Sequence, residues 1–122
     1  MRPAPAAVVF VADVSRMARF YRDLFSMRVL HDDADHAVLE NDGLQLTIHA
    51  LRDEPEGNAT RFDTYVKLCF PVDRIADARA RAPSLGGELW PPEKEWTAPE
   101  RGFRACDGRD PEGNVFQVRE AL

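Results

Sequence analysis

Two titratable side chains on predicted strands, His49 and Lys67, are candidates for acid–base chemistry. The alternation of side chains along its strand places His49 on the inward face. It could contact a ligand there, or it could lie on the surface. His31 and His36 lack a metal-binding spacing such as a helical His-x-x-x-His, so we predict that they lie on strand or loop surface. Lys67 is one of only two lysines. A carboxylate or a bound anion could neutralise it on an inward face, or its ammonium group could reach water at a sheet edge.

A loop bounded by two tryptophans could bind a planar ligand by stacking. Residues 90–96 have the sequence Trp-Pro-Pro-Glu-Lys-Glu-Trp, which predicts a rigid polar loop without helix or strand periodicity that extends through Arg101. Exposed aromatic rings beside a cleft are suited to flat molecules. The alternative is that one tryptophan covers the end of the sheet or packs in a dimer interface. Further candidates for the same aromatic wall are Phe62, Tyr65 and Phe103.

Arg101 and Arg104 flank Phe103 and could bind an acidic or carbonyl group of a ligand through the planar guanidinium group. A surface ion pair with Glu100 or Asp107 is the alternative. Other chemistry has no support, because the sequence contains no Gly-rich phosphate loop, no Gly-x-Ser-x-Gly motif and no evident Cys-His nucleophile pair.

Composition restricts the partners and the compartment. The net charge of −5 gives no electrostatic support for a nucleic acid or an anionic membrane as partner. Cys69 and Cys106 lie singly on predicted strands, so we predict free core thiols in a reducing compartment, with a disulfide as the alternative. The N-terminus lacks a signal-peptide pattern, and no apolar run approaches the roughly 20 residues that span a bilayer. We therefore expect a cytoplasmic protein.

The first half of the chain predicts the order βαβββ. An apolar strand at 6–12 is followed by Asp13, a candidate N-cap, and by a helix whose apolar residues recur on one face. Strands at 28–32, 36–40 and 44–49 follow, and Asn41-Asp42-Gly43 predicts the hairpin turn between the last two. Residues 52–61 are polar and are predicted to form a linker.

The second half repeats this order. It predicts a strand at 65–72, an N-cap at Asp73, a helix ended by Pro83 and Gly86, and short strands at 87–90 and 103–106. The sequence Asp110-Pro-Glu-Gly-Asn114 predicts a structural turn before a last strand in which Gln117 faces away from Phe116 and Val118.

Aligning the turn glycines Gly43 and Gly113 places Thr47 opposite Gln117 and predicts a duplication. We predict a single α+β domain over 1–122, made of one βαβββ module at about 5–51, a linker at about 52–61 and a second module at about 62–122. The two sheets are expected to form a half-open, curved cleft with the helices outside. The expected inward side chains are Ala6, Val8, Phe10, Thr47, His49, Lys67, Cys69, Gln117 and Arg119.

Three segments of this sequence resemble the vicinal oxygen chelate superfamily, which includes glyoxalases, extradiol dioxygenases and bleomycin-resistance proteins. They are residues 11–25 with Phe20-Tyr21, Gly43-Leu-Gln-Leu, and Asp110-Pro-Glu-Gly-Asn. The resemblance covers nearly the whole chain and implies paired βαβββ modules, a cleft and frequent dimerisation. Metal-using members carry four histidine or glutamate ligands, whose positions fall here on Ala6, Thr47, Lys67 and Gln117. This set lacks the roughly three ligands that a catalytic metal requires, so we predict no family-type metal and no cofactor.

We carry two functional hypotheses. The first is a metal-free binding protein, similar to the bleomycin-resistance branch, that sequesters an aromatic natural product or antibiotic in a cleft completed by a second subunit. The second is a lyase, isomerase or oxygenase that uses the same cleft, with His49 or Lys67 as the acid–base group. The predicted ligand-binding residues are Phe10, Thr47, His49, Tyr65, Lys67, Trp90, Trp96, Phe103, Arg104, Gln117 and Arg119.

Overall fold

A computed structural model describes residues 3–51, 62 and 64–122. The chain divides into two compact units, Met1–Asn58 and Ala59–Leu122, and each is considered by itself. The predicted linker at 52–61 lies outside the described residues. Among those residues, no helix is both long and apolar enough to cross a membrane.

The first unit has the predicted order βαβββ. Its elements are β1 (Ala6–Val11), α1 (Val14–Phe25), β2 (Arg28–Asp32), β3 (His36–Asn41) and β4 (Leu44–Ala50). The strands form one sheet in the order β1-β4-β3-β2, in which β1 runs parallel to β4 and the other pairs are antiparallel.

Helix α1 begins where its sequence predicts. The Asp13 carboxylate accepts a hydrogen bond from the backbone N–H of Arg16 at 3.0 Å, which satisfies one of the free N–H groups of the first turn. Ser26 ends the helix with a left-handed φ of 51°. The buried face of the helix includes Met17, Phe20 and Tyr21, and burial of such side chains stabilises the unit by roughly 2 kcal/mol each.

The β3–β4 hairpin sets which side chains share a face of the first sheet. Asp42 and Gly43 have φ values of 50° and 83°, as a two-residue type I′ turn requires. In the resulting register Leu39 pairs with Leu46, both buried. The other face carries the neighbouring pairs His36–His49 and Val38–Thr47.

The second unit contains the second helix and a five-stranded sheet. Its elements are β5 (Leu68–Pro71), α2 (Ile75–Arg81), β6 (Glu88–Leu89), β7 (Trp96–Ala98), β8 (Phe103–Arg109) and β9 (Val115–Ala121), with 3₁₀ helices at Ala82–Leu85, Pro92–Lys94 and Pro99–Arg101. The sheet order is β5-β9-β8-β6, and β7 pairs with β8. The predicted α+β class with a repeated β-α-β order is confirmed.

Three sequence-based expectations for the second unit are wrong. Asp73 does not cap α2; Arg74 is the N-cap residue without a side-chain bond, and the Ile75 N–H instead donates to Glu120 Oε1 at 2.7 Å. The strand predicted at 65–72 begins only at Leu68. The segment from Trp90 through Arg101, predicted to be a loop without periodicity, contains regular structure, because the short strand β7 forms backbone pairs with β8.

The turn before β9 is structural, as predicted. Asp110 is buried, and its Oδ1 accepts from the backbone N–H groups of Glu112 and Asn114, both at 2.9 Å. Gly113 closes the turn with a φ of 88°, a conformation that costs glycine little. This turn fixes the register of β8 and β9, on which the site described next depends.

Candidate functional site

One face of the second sheet collects most of the predicted site residues. Asp107 pairs with Gln117, and Ala105 pairs with Arg119. Because alternate residues share a face, Phe103, Asp107 and Arg109 of β8 lie on the same side as Gln117 and Arg119 of β9. We call this side the polar face. The opposite side carries Phe116 and Val118, which are fully buried.

A continuous hydrogen-bonded row, which we call the polar row, crosses the middle of this face. The Lys67 ammonium group donates to Asp107 Oδ2 at 2.6 Å, and the Gln117 amide donates to Asp107 Oδ1 at 3.3 Å. Gln117 Oε1 in turn accepts from Arg119 Nε at 2.7 Å and from the Cys69 thiol at 3.6 Å. Within the row of Lys67, Asp107, Gln117 and Arg119, two cations face one carboxylate.

An aromatic cluster adjoins the Arg119 end of the polar row. The Arg119 guanidinium carbon lies 4.4 Å from the centre of the Phe103 ring, and that of Arg101 lies 4.9 Å from the same ring. Trp96 meets Phe103 edge to face, with 5.8 Å between ring centroids. The Trp96 residue remains 44% exposed. We call this group the Trp96 cluster, and it offers an accessible ring for stacking.

A second aromatic cluster lies at the other end of β8. The Arg109 guanidinium carbon is 4.7 Å from the Trp90 ring centre and 4.9 Å from that of Phe62. Arg109 also forms an ion pair with Glu88 at 2.9 Å. Phe103 and Arg109 lie six positions apart on the strand, about 20 Å at the usual rise. The polar face is therefore long enough to hold a drug-sized molecule.

Two predicted site residues of the second unit lie apart from this arrangement. Arg104 projects from the opposite face of β8, where its guanidinium lies 3.7 Å from Glu120 and 3.8 Å from Glu95. Arg104 therefore forms surface ion pairs, as the alternative prediction had it, but with Glu120 and Glu95 instead of Glu100 or Asp107. Tyr65 is fully exposed before β5.

The predicted residues of the first unit also lie side by side. Val8 pairs with Thr47, and Phe10 pairs with His49, so these side chains share the face of the first sheet that α1 does not cover. Val8 and Phe10 are each 53% exposed. The Phe10 and His49 rings lie 5.6 Å apart. Phe10, Thr47 and His49 therefore form a mixed apolar and polar patch.

The residues at the family metal positions do not fit a divalent ion. Ala6 offers a methyl group and Thr47 a hydroxyl group, whereas a metal site needs several imidazole, carboxylate or thiolate ligands. Lys67 places a cation there that is already paired with Asp107. The Gln117 oxygen is engaged by Arg119.

The Cys106 thiol is not poised as a nucleophile. Both cysteines are free, and Cys106 is buried. Burial raises the pKa of the Cys106 thiol, although the nearby Arg79 guanidinium partly opposes this effect. The protonated Cys106 Sγ donates to the carbonyl of Trp90 at 3.4 Å. This geometry assigns Cys106 a packing role.

Sequence reasoning missed a second polar group, in the first unit. His36 stacks on His31 with ring centroids 4.4 Å apart and on His49 with centroids 5.7 Å apart. Asp33 and Asp35 lie beside these rings. The signal that could have found the group is the strand register: the hairpin turn at Asp42-Gly43 places His36 directly opposite His49.

The fold and the site together define an α+β protein of two β-α-β units with a polar, aromatic-flanked sheet face. A family model described as the glyoxalase-like domain matches residues 6–119. The protein therefore belongs to the glyoxalase-like domain family. No curated protein matches the chain significantly in sequence.

Solved structures show the same fold over nearly the whole chain. A glyoxalase/bleomycin resistance protein/dioxygenase family enzyme from Burkholderia phytofirmans PsJN is 18% identical, with a TM-score of 0.74 over 96% of this chain and 97% of that chain. An integron cassette protein of V. cholerae is 24% identical, with a TM-score of 0.67 over 98% and 95%. The fosfomycin resistance protein FosX of Listeria monocytogenes, in complex with Mn(II) and a dihydroxypropylphosphonic acid, is 16% identical, with a TM-score of 0.70 over 98% and 89%. At these identities the likeness shows the fold alone.

Proposed function

We propose that this protein is a small-molecule binding protein that sequesters an aromatic natural product or antibiotic without a metal at the family position, in the manner of the bleomycin-resistance branch. The observation that carries the proposal is the polar row, a continuous chain of hydrogen-bonded side chains without a metal-ligand set, next to the cluster that contains the exposed Trp96.

The chemistry of the polar face favours a flat ligand that carries a negative group. Arg119 bonds to Gln117 through Nε, and a guanidinium group carries five N–H donors, so an incoming carboxylate or phenolate can bind its other N–H groups. The Trp96 ring can stack on an aromatic system, which contributes about 1 kcal/mol beyond the buried area. Capture of this kind needs no bond-breaking group.

The cellular setting belongs to the same proposal. Two free thiols are consistent with the reducing cytoplasm. The exposed apolar side chains Val8 and Phe10 suit a homodimer in which a second subunit completes the binding surface. A resistance role is further supported by analogy with the fosfomycin resistance protein among the structural relatives.

A fluorescence titration of the metal-stripped protein tests the proposal. We expect that flat aromatic antibiotics with an acidic group but no metal-chelating oxygen pair quench the tryptophan emission equally with EDTA and with added Mn²⁺, Ni²⁺, Zn²⁺ or Fe²⁺. Methyl esters of the acidic compounds should bind about tenfold more weakly, which corresponds to roughly 1.4 kcal/mol. Quenching that appears only with metal, or no quenching across the whole panel, would contradict metal-free capture.

Matched variants locate the binding surface. Trp96→Ala should weaken binding about tenfold in calorimetry, because it removes the exposed stacking ring. Lys94→Ala changes an exposed side chain in the same loop and should leave affinity unchanged. If both variants weakened binding equally, the binding site would not lie at the Trp96 cluster.

A catalytic role for the same face is the second candidate, since the Lys67 ammonium and Asp107 carboxylate groups lie 2.6 Å apart and could exchange a proton with a ligand. Liquid chromatography coupled to mass spectrometry, applied to each bound compound after prolonged incubation, separates the two functions. A binding protein returns the compound unchanged, whereas a lyase, isomerase or oxygenase returns a product of altered structure or mass.

A further inference from the structure

Three metal-ligating side chains lie together at the β2–β3 hairpin of the first unit. His31, Asp33 and His36 each offer one ligand atom, and these atoms lie within 4.8 Å of one another. We call this group the His31 cluster. All three residues lie on the hairpin itself, whereas the family metal positions of this unit lie on β1 and β4.

Backbone hydrogen bonds hold the Asp33 carboxylate in place. Its Oδ1 accepts from the N–H groups of Asp35 at 2.8 Å and of His36 at 2.9 Å. The second oxygen, Oδ2, lies 2.6 Å from His31 Nε2. The carboxylate is therefore oriented by the turn before any ion arrives, which lowers the cost of organising a site.

His36 presents a nitrogen that lacks a partner. Its Nδ1 is shielded from solvent and has no hydrogen-bond partner in the part of the chain that the structure describes. The carboxylate oxygens of Asp33 and Asp35 lie 3.6 and 3.8 Å from this nitrogen, beyond hydrogen-bond distance. A buried polar atom left unpaired is costly, and a cation held between these groups would satisfy it.

His49 extends the group from the neighbouring strand. Its Nδ1 lies 2.8 Å from the carbonyl oxygen of Ala50, and a carbonyl only accepts, so Nδ1 carries the proton. In the neutral ring Nε2 then holds a lone pair, 3.4 Å from Asp35 Oδ2. Metal-binding histidines are commonly oriented by such a bond from their other nitrogen.

We propose that His31, Asp33 and His36 form a binding site for a divalent transition-metal ion of the Zn²⁺ type, beside the imidazole of His49 on the adjacent strand. A set rich in imidazole with one carboxylate suits Zn²⁺, Co²⁺ or Ni²⁺ and disfavours Mg²⁺ and Ca²⁺, which prefer oxygen ligands. Ligand atoms of a tetrahedral zinc site lie about 3.4 Å apart for bonds near 2.0–2.1 Å. The side chains of the hairpin have to rotate to bring their ligand atoms to this distance. The ion would then replace the proton between His31 and Asp33.

Calorimetry on the full chain, without a histidine tag and stripped with EDTA, tests this site directly. We expect one Zn²⁺ per chain and a higher Tm in its presence, because binding to the folded state stabilises it. His31→Gln and His36→Gln should each weaken Zn²⁺ binding at least tenfold. Asp32→Asn removes a neighbouring exposed carboxylate outside the cluster and should leave the affinity within about twofold.

Spectroscopy supplies a readout that needs no variant. Zn²⁺ should shift the side-chain NMR signals of His31 and His36 at one equivalent, and Co²⁺ should give the visible absorption of a tetrahedral site. No heat and no shifted histidine signal would overturn the proposal, as would undiminished binding in the His31→Gln, His36→Gln double variant. Equal weakening by Asp32→Asn would show general charge attraction instead of a site. The fluorescence titration of the polar face is unaffected by any of these results.

Discussion

At the scale of single residues, Gln117 joins the two ends of the polar row. The superfamily resemblance implies a glutamate at the position of Gln117 in metal-using members. The Gln117 amide instead donates to Asp107 and accepts from Arg119. An amide can serve a cation and a carboxylate at once, because it has both a donor and an acceptor group. The Gln117 amide thus lies at the centre of a hydrogen-bonded row.

The Lys67–Asp107 ion pair should stabilise the second unit. Both side chains are mostly shielded from solvent, with 23% and 17% exposure. We expect Lys67→Met to lower the free energy of unfolding by about 1–3 kcal/mol, because it leaves the Asp107 charge without its partner. Urea denaturation measures the loss.

The double variant Lys67→Met, Asp107→Asn provides the control for that experiment. It removes both charges and should recover a large part of the lost stability. Additive losses in the double-mutant cycle would show that the two groups do not interact in solution.

The two thiols should differ in reactivity. Cys106 is fully buried, and burial raises the pKa of its thiol, whereas Cys69 is only half-buried. Because the thiolate is the reactive form and must also be reached by the reagent, iodoacetamide should label Cys69 first in the native protein. Peptide mass spectrometry checks the order, and urea should abolish the difference; early labelling of Cys106 would contradict the packing role assigned to it.

At the scale of elements, the start of α2 is held from a distant strand. Glu120 of β9 accepts the Ile75 N–H, while Asp73, the residue that sequence favours, makes no side-chain cap. The contact places a carboxylate at the positive end of the helix, where it is favourable. It also ties α2 to the same strand that carries Gln117 and Arg119.

Paired substitutions distinguish the two capping residues. Glu120→Ala should lower stability by about 1 kcal/mol, whereas Asp73→Ala should change it by less than about 0.5 kcal/mol. Chemical denaturation of both variants under the same conditions gives the comparison. A larger effect of Asp73→Ala would restore the assignment made from sequence.

At the scale of the whole molecule, two units of similar element order each carry one helix and one sheet. Both sheets leave one face with polar or exposed side chains, as Phe10 in the first unit and the polar row in the second illustrate. Exposed apolar side chains on a sheet face are commonly covered by a ligand or by another subunit.

Light scattering should find a homodimer of twice the 13.8 kDa chain mass. Phe10→Glu should shift the protein toward monomer if the exposed face of the first sheet takes part in the contact, since it places a charge on an apolar surface. Thr97→Glu, on an exposed position of β7, is the control. A wild-type protein that remains monomeric at all concentrations would rule out the dimer.

Sequence alone determined the elements that depend on neighbours along the chain. The Asp13 cap, the Asp42-Gly43 turn and the Asp110 turn are all formed by residues within four positions of each other, so composition and spacing contain the information. The alternation of Gln117 against Phe116 and Val118 follows from strand geometry in the same way.

Only the tertiary structure decided which side chains meet across strands. Lys67 and Asp107 are 40 positions apart, Ile75 and Glu120 are 45 apart, and the three histidines come together through the pairing of β2, β3 and β4. The physical reason is that a local pattern specifies which face a side chain takes, whereas its partner depends on register and on the approach of distant backbone. Spacing in the sequence therefore did not reveal the polar row on the second sheet or the stacking of His49 on His36 in the first.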